Sequence, residues 1–188
     1  DAQLDLLGAE LFRDRDELRG RLECLSRLVL RRETGMFDQL TETRVEQSFN
    51  ERVFSEFFDY KTLLSDGRGL FHLLPKHRHT QSGRTDDFAL GYFGAGADII
   101  RATVELKSPG TNLDAPQGGG YGPVSPVEQA FRASAGSAAS WVVVSNFDEI
   151  RLYHADDPSR ANVIKLSDVT TVETARRALA LLDRRSLL

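Results

Sequence analysis

Apolar side chains at Leu4, Leu7, Leu11, Leu18, Leu22, Leu25 and Val29 fall at steps of three, four and seven residues. That spacing predicts an amphipathic helix over residues 4 to 30. A second stripe, Val45, Phe49, Val53 and Phe57, predicts another helix from Thr43 to Tyr60. After Gly69 the texture changes. "LFHLL" reads as a short strand, "TDDFALGYF" alternates in twos, "GAG" turns, and "DIIRATVELK" is a long strand rich in β-branched residues. The following "SPGTNLDAPQGGGYGPVSP" is too long and too rich in Gly and Pro for a simple connection, which marks it as a candidate functional loop.

Ser125, Pro126 and Glu128 supply an N-cap, a first-position proline and a third-position acid, so "PVEQAFRASA" is expected to be helical. "WVVVSNF" is a continuous apolar run, read as a strand buried on both faces. A hairpin-like "EIRLYHA", a loop with Pro158 and a final helix from about Val172 complete the chain. Two helices, an antiparallel-looking run of strands, a helix and a return strand predict an α/β fold, a mixed sheet with helices on both faces. One domain is expected over residues 1–188: a helical extension (1–40), a core (43–153) and a C-terminal extension (154–188).

A chain of 188 residues can bury roughly 70% of its unfolded surface around one core, and no stretch is apolar enough to span a bilayer. The lone Cys24 excludes an internal disulfide and a cysteine metal cage. Inside its helix it reads as a small buried hydrophobe, and with no signal peptide visible the expected compartment is the reducing cytoplasm. A net charge of -4 is wrong for a domain that grips nucleic acid alone. Between Lys61 and Arg84, however, five basic residues and His72, His77 and His79 face one acid, Asp66. That segment is either a phosphate footprint or a solvated loop. The chain starts with Asp1, and "ETARRALALLDRRSLL" ends without a stop signal, so a fragment of a longer polypeptide is expected.

The chemistry concentrates in "VELK". In an extended strand Thr103, Glu105 and Lys107 share one face while Val104 and Leu106 share the other. An acid and a lysine so placed form an ordinary same-face ion pair unless something else recruits them. Two features point further. Only four of the 24 basic residues are lysines (61, 76, 107 and 165), and a site that needs a compact ammonium specifies lysine. On the preceding strand, Asp87 shares a face with the small residues Ala89 and Gly91. Pairing Asp87 with Glu105 would bring two carboxylates and Lys107 to one open spot, a donor set suited to Mg²⁺ or Mn²⁺. Such an ion acidifies a bound water and stabilises a leaving oxygen in phosphodiester hydrolysis, with Lys107 meeting the developing charge. Asp98 ranks below Asp87, because in an unbroken strand it points opposite to Glu105. Asp86 falls on the apolar face and begins the strand. Glu46 sits between Val53 and Phe57 on the inward stripe of the second helix, either as a charge reaching a cleft or as the acid of a Thr43 to Glu46 capping box; Glu51 is nearer the stripe's edge. His77 and His79 read as phosphate contacts or exposed residues. "GGGYG" lacks the context of a phosphate-binding loop and suggests a flap with Tyr121 at its tip.

Asp87 followed by Glu105-Leu106-Lys107 resembles the PD-(D/E)XK nuclease motif. The order of "TETRVEQSFNERVFSEFFDY", "DDFAL", "VELKSPGTNLDAPQ", "SPVEQAFRAS" and "WVVVSNFDEIRLY" resembles the N-terminal nuclease domain of type IIG bifunctional restriction-modification enzymes, over about Thr43 to Tyr153. The resemblance implies a restriction-endonuclease-like αβββαβ core and Mg²⁺-dependent cleavage of double-stranded DNA, with Asp87 and Glu105 as metal ligands. It also implies dimerisation for double-strand cutting, and a longer enzyme whose methyltransferase and target-recognition modules use S-adenosylmethionine. It makes Glu46 an additional acid of the metal site and Gln129 a counterpart of the glutamine in a Gln-x-x-x-Tyr helix, although Ala133 stands where the tyrosine belongs. Asp86 occupies the position of the motif's proline. Two other classes stay open: a non-catalytic DNA-binding or interaction domain of the same fold, and a repair or recombination nuclease.

Overall fold

Asp14 cuts the first apolar stripe in two. A computed structural model describes residues 2–37, 42–65, 69–76, 85–94, 96, 98–118 and 123–188, with only the backbone of 42–45. In it α1 (Ala2–Leu11) ends before Asp14, whose carboxylate accepts the N–H groups of Asp16 and Glu17 and caps α2 (Arg15–Glu33). The single helix expected over 4 to 30 is therefore two. A carboxylate that satisfies the free N–H groups of a new helix outweighs a stripe that the seven-residue step from Leu11 to Leu18 made look continuous. Cys24 is half-buried rather than buried, and its thiol donates to Glu56 Oε2 at 2.6 Å. Burial pushes that thiol up to about 11, with the Glu56 carboxylate adding to the shift.

The second helix forms as expected. It runs as α3 (Glu42–Phe49) and then widens into a π-helix over Asn50–Phe57, closed by Phe58 N–H on Val53 O at 2.9 Å. The wider turn places Phe49, Val53, Phe54, Phe57 and Phe58 all in the interior. Because α3 begins at Glu42, Thr43 lies inside the helix, not at its cap.

The chain divides into two units, Asp1–Tyr60 with Ile164–Leu188, and Lys61–Val163. In the first unit α5 (Val172–Leu182), which starts at the Thr171 cap, lies against α1 and α2, and α6 (Arg184–Leu187) follows it. A buried ionic cluster ties α2 to the junction of α5 and α6. Arg21 donates to Asp183 Oδ2 at 2.5 Å and to Phe57 O at 2.9 Å, and Arg185 Nε reaches Asp183 Oδ1 at 3.2 Å. Tyr60 Oη donates to Leu182 O at 2.8 Å beside it.

The second unit holds the sheet: β1 (Phe71–Pro75), β2 (Phe88–Phe93), β3 (Ile99–Leu106), β4 (Trp141–Ser145), β5 (Glu149–His154) and β6 (Ala161–Lys165), in that spatial order, with β6 running past the unit boundary. Pairing is antiparallel from β1 to β3 and between β4 and β5, whereas β3 and β4 run parallel, joined by a crossover containing α4 (Pro126–Ser134). The α4 cap is the expected capping box: Ser125 Oγ accepts the Glu128 N–H at 3.1 Å and Glu128 Oε2 accepts the Ser125 N–H at 2.9 Å. Ala130 packs with Leu113, Val142, Val144 and Tyr153, so α4 covers one face of the sheet. Strand β6 was missed from sequence, because in "ANVIK" only Ile164 is buried and the strand carries almost no apolar pattern. No described helix is long and apolar enough to cross a membrane.

A bulge separates Leu90↔Ala102 from Gly91↔Ile100, leaving Arg101 as the extra residue on β3. At Gly91 the two backbones come so close that a Cβ would lie 2.0 Å from Ile99 O. Gly91→Ala is expected to cost about 2 kcal/mol, within the range for overpacked sites, measured as a lowered denaturation midpoint.

Candidate metal and phosphate site

The register across three strands builds the site. Pro75 pairs with Phe88 and Phe88 with Val104, so the next residue on each strand falls in one row: Lys76, Asp87 and Glu105. The expected meeting of Asp87 with Glu105 is what the pairing gives. Asp87 immediately precedes β2, and both its oxygens are engaged: Oδ2 accepts the Leu106 N–H at 2.7 Å and Oδ1 accepts from Lys76 Nζ at 2.9 Å. Lys107 Nζ donates to Glu105 Oε1 at 2.6 Å. Glu105 is 6% exposed, on the face that α4 covers through the neighbouring Val142 and Val144. Burial is the main force on its carboxyl and raises it to about 7. Lys107 opposes that shift, while Asp87 and Asp86 add to it. Two residues back on the same face, Thr103 Oγ1 is buried without a hydrogen-bond partner.

Two residues at this site escaped the sequence reading. Lys76, just past β1, adopts a left-handed backbone (φ 49°) and holds Asp87 twice, through its ammonium and through its N–H on Asp87 O at 2.7 Å. The available signal was the scarcity of lysine, since Lys76 is one of only four. Asp86 does not simply start a strand: it is 2% exposed and near enough to Glu105 to raise it.

The remaining candidates lie elsewhere or outside the description. Gln129 is half-buried on α4, at the edge of the stripe that carries Ala130 and Ala133, and none of the hydrogen bonds among the described residues joins it to Asp87, Glu105 or Lys107. Glu46, half-buried on α3, and the exposed Glu51 belong to the first unit. Asp98 is exposed in the β2–β3 turn, where it accepts the Gly94 N–H at 3.4 Å. The bulge breaks the alternation used to exclude it; seven residues of strand, about 23 Å, now separate it from Glu105. His72 is buried, with its ring edge-on to Tyr92 at 5.5 Å. His77, His79 and Tyr121 fall outside the described residues. The stem of the long loop is pinned: Leu113 lies in the core, Arg151 grips Asp114 at 2.7 and 3.0 Å, and Gln117 bridges to Val124.

No cluster of three or more His, Cys, Asp or Glu side chains suited to a metal occurs among the described residues. The donor set is the pair of carboxylates on adjacent strands. That pair fits a hard cation such as Mg²⁺, which retains most of its waters and binds through one or two carboxylates. The displaced Glu105 carboxyl and the orphaned Thr103 hydroxyl both mark a place where a cation with its water shell is favoured.

The architecture and the register together define an α/β fold, a six-stranded mixed sheet with flanking helices. Among solved structures the chain is similar to one in the cryo-EM structure of the DrdV–DNA complex, with a TM-score of 0.51 and 14% identity over 84% of this chain and 96% of that one. No protein-family model and no curated protein sequence matches it.

Proposed function

We propose that this chain is a metal-dependent endonuclease domain that hydrolyses phosphodiester bonds in double-stranded DNA. The observation that carries the reading is the juxtaposition of Asp87 and Glu105 across β2 and β3 with Lys107 bonded to Glu105. The fold shared with a chain seen in a DNA complex supports the choice of substrate. Asp87 and Glu105 hold Mg²⁺ or Mn²⁺, which supplies a Lewis acid and an acidified water. The Leu106 N–H fixes one Asp87 oxygen and thereby the direction of the other. Lys107, largely shielded from solvent, keeps Glu105 in place and presents the ammonium that stabilises added negative charge on the phosphoryl group. Gln129, on α4 in the same unit, is a secondary member of this proposal.

The motif resemblance supports a setting within a type IIG restriction-modification enzyme acting in the cytoplasm. In that setting a methyltransferase that uses S-adenosylmethionine and a target-recognition module supply sequence specificity, and pairing of two nuclease domains cuts both strands. The net charge of -4 is consistent with DNA affinity borrowed from such modules.

The test is a calorimetric titration of the 188-residue chain with Mn²⁺, beside its Glu105→Ala variant. Binding by the wild type that disappears in the variant is the expected result. Equal binding by both would remove Glu105 from the metal site.

A further inference from the structure

Lys76 occupies the place on Asp87 that a metal would use. Asp87 Oδ2 is committed to the Leu106 N–H at 2.7 Å, which leaves Oδ1 as the oxygen for a cation, and that oxygen accepts from Lys76 Nζ at 2.9 Å. The two ends of Lys76 differ in freedom. Its backbone is anchored, with a left-handed φ of 49° and its N–H on Asp87 O, whereas its side chain is 59% exposed. The ammonium can therefore leave Asp87 by rotating about its own flexible stem while the strand end stays fixed.

Charge gives that departure a direction. Asp87 and Glu105 are each matched by one lysine, Lys76 and Lys107, with the buried Asp86 close to Glu105. A divalent cation at Asp87 repels the ammonium that it replaces. An arriving backbone phosphate attracts that same ammonium, on the rim of the site.

We propose that Lys76 is a positioning residue that couples metal binding to DNA binding: it holds Asp87 in the resting protein and transfers to a DNA backbone phosphate when the metal takes its seat. The inference rests on the metal-dependent reading of the site given above. Its consequence is reciprocal, since DNA that draws Lys76 away tightens metal binding, and metal that expels Lys76 tightens DNA binding by the same factor.

The experiment has two arms on the wild type, Lys76→Gln and Lys76→Arg: a Mn²⁺ titration without DNA, and a Ca²⁺ titration run both with and without a short double-stranded DNA, Ca²⁺ being used there so that no strand is cut. Without DNA, Lys76→Gln is expected to bind Mn²⁺ about three- to fivefold more tightly than the wild type, the scale of one exposed ion pair. Lys76→Arg retains the charge and is expected to match the wild type. Added DNA is expected to tighten cation binding in the wild type and much less in Lys76→Gln. Unchanged or weaker Mn²⁺ binding by Lys76→Gln, in a protein whose wild type binds, overturns the role of Lys76 and leaves the metal site standing. Absence of binding in every form overturns the metal reading and this inference with it.

Discussion

With glutamine in place of Glu105, cleavage is expected to fall on the order of 10³-fold or more, the scale of losing several kcal/mol of transition-state stabilisation. In the same variant the metal-free protein becomes more stable near pH 8, by about 2 kcal/mol. The two effects share one cause. Burial, with Asp87 and Asp86 nearby, raises the Glu105 carboxyl from 4.5 to about 7 in spite of Lys107. A carboxyl raised in the folded state favours folding when protonated. Its contribution is complete below about pH 4.5 and is lost as pH rises through 7. The full difference amounts to about 3 kcal/mol, and some of it is retained in the variant because Lys107 loses its partner. Denaturant titrations at pH 5 and pH 8 check this: the wild type is expected to weaken between the two while Glu105→Gln changes little. A variant less stable than the wild type at pH 8 would show that Lys107 outweighs burial. Added Mg²⁺ is expected to recover the difference only in the wild type.

The second large effect lies in the helical unit. Arg21→Met is expected to cost about 3 kcal/mol, because it removes the main partner of a carboxylate with no solvent exposure, Asp183. Burial already raises the Asp183 carboxyl, with Arg185 and Arg21 opposing it. Removing one of those cations raises it further. The loss is then greatest at neutral pH and partly recovered towards pH 5, where Asp183 takes up a proton. Pairing Arg21→Met with Asp183→Leu is expected to cost less than the sum of the two single variants, since no charge is left buried alone. Denaturation midpoints of the four proteins close this cycle, and additive costs would deny the pair any coupling.

What the sequence disclosed was local or periodic. The two-residue alternation of β2 and β3 put Asp87 and Glu105 on facing positions, and Ser125 with Glu128 announced α4 through bonds that span three residues. What it concealed depends on distance or on competition. Lys76 meets Asp87 across eleven residues, and nothing near Lys76 advertises that partner. The break at Asp14 hid behind an intact heptad step, and β6 earns its place in the sheet from backbone pairing at a nearly polar edge. Asp86 was misjudged because alternation assigns a face but not a neighbourhood; the charge of Glu105 reaches it there.

The Arg101 bulge divides β3 into two stretches that answer to different constraints. From Ala102 to Lys107, inserting or deleting a single residue would turn Glu105 to the wrong side of the sheet. Beyond the bulge, the exposed Asp98 carries no such parity requirement and lies about 23 Å along the strand from Glu105. That position is therefore the natural place to graft a fluorophore or an affinity tag without disturbing the carboxylates.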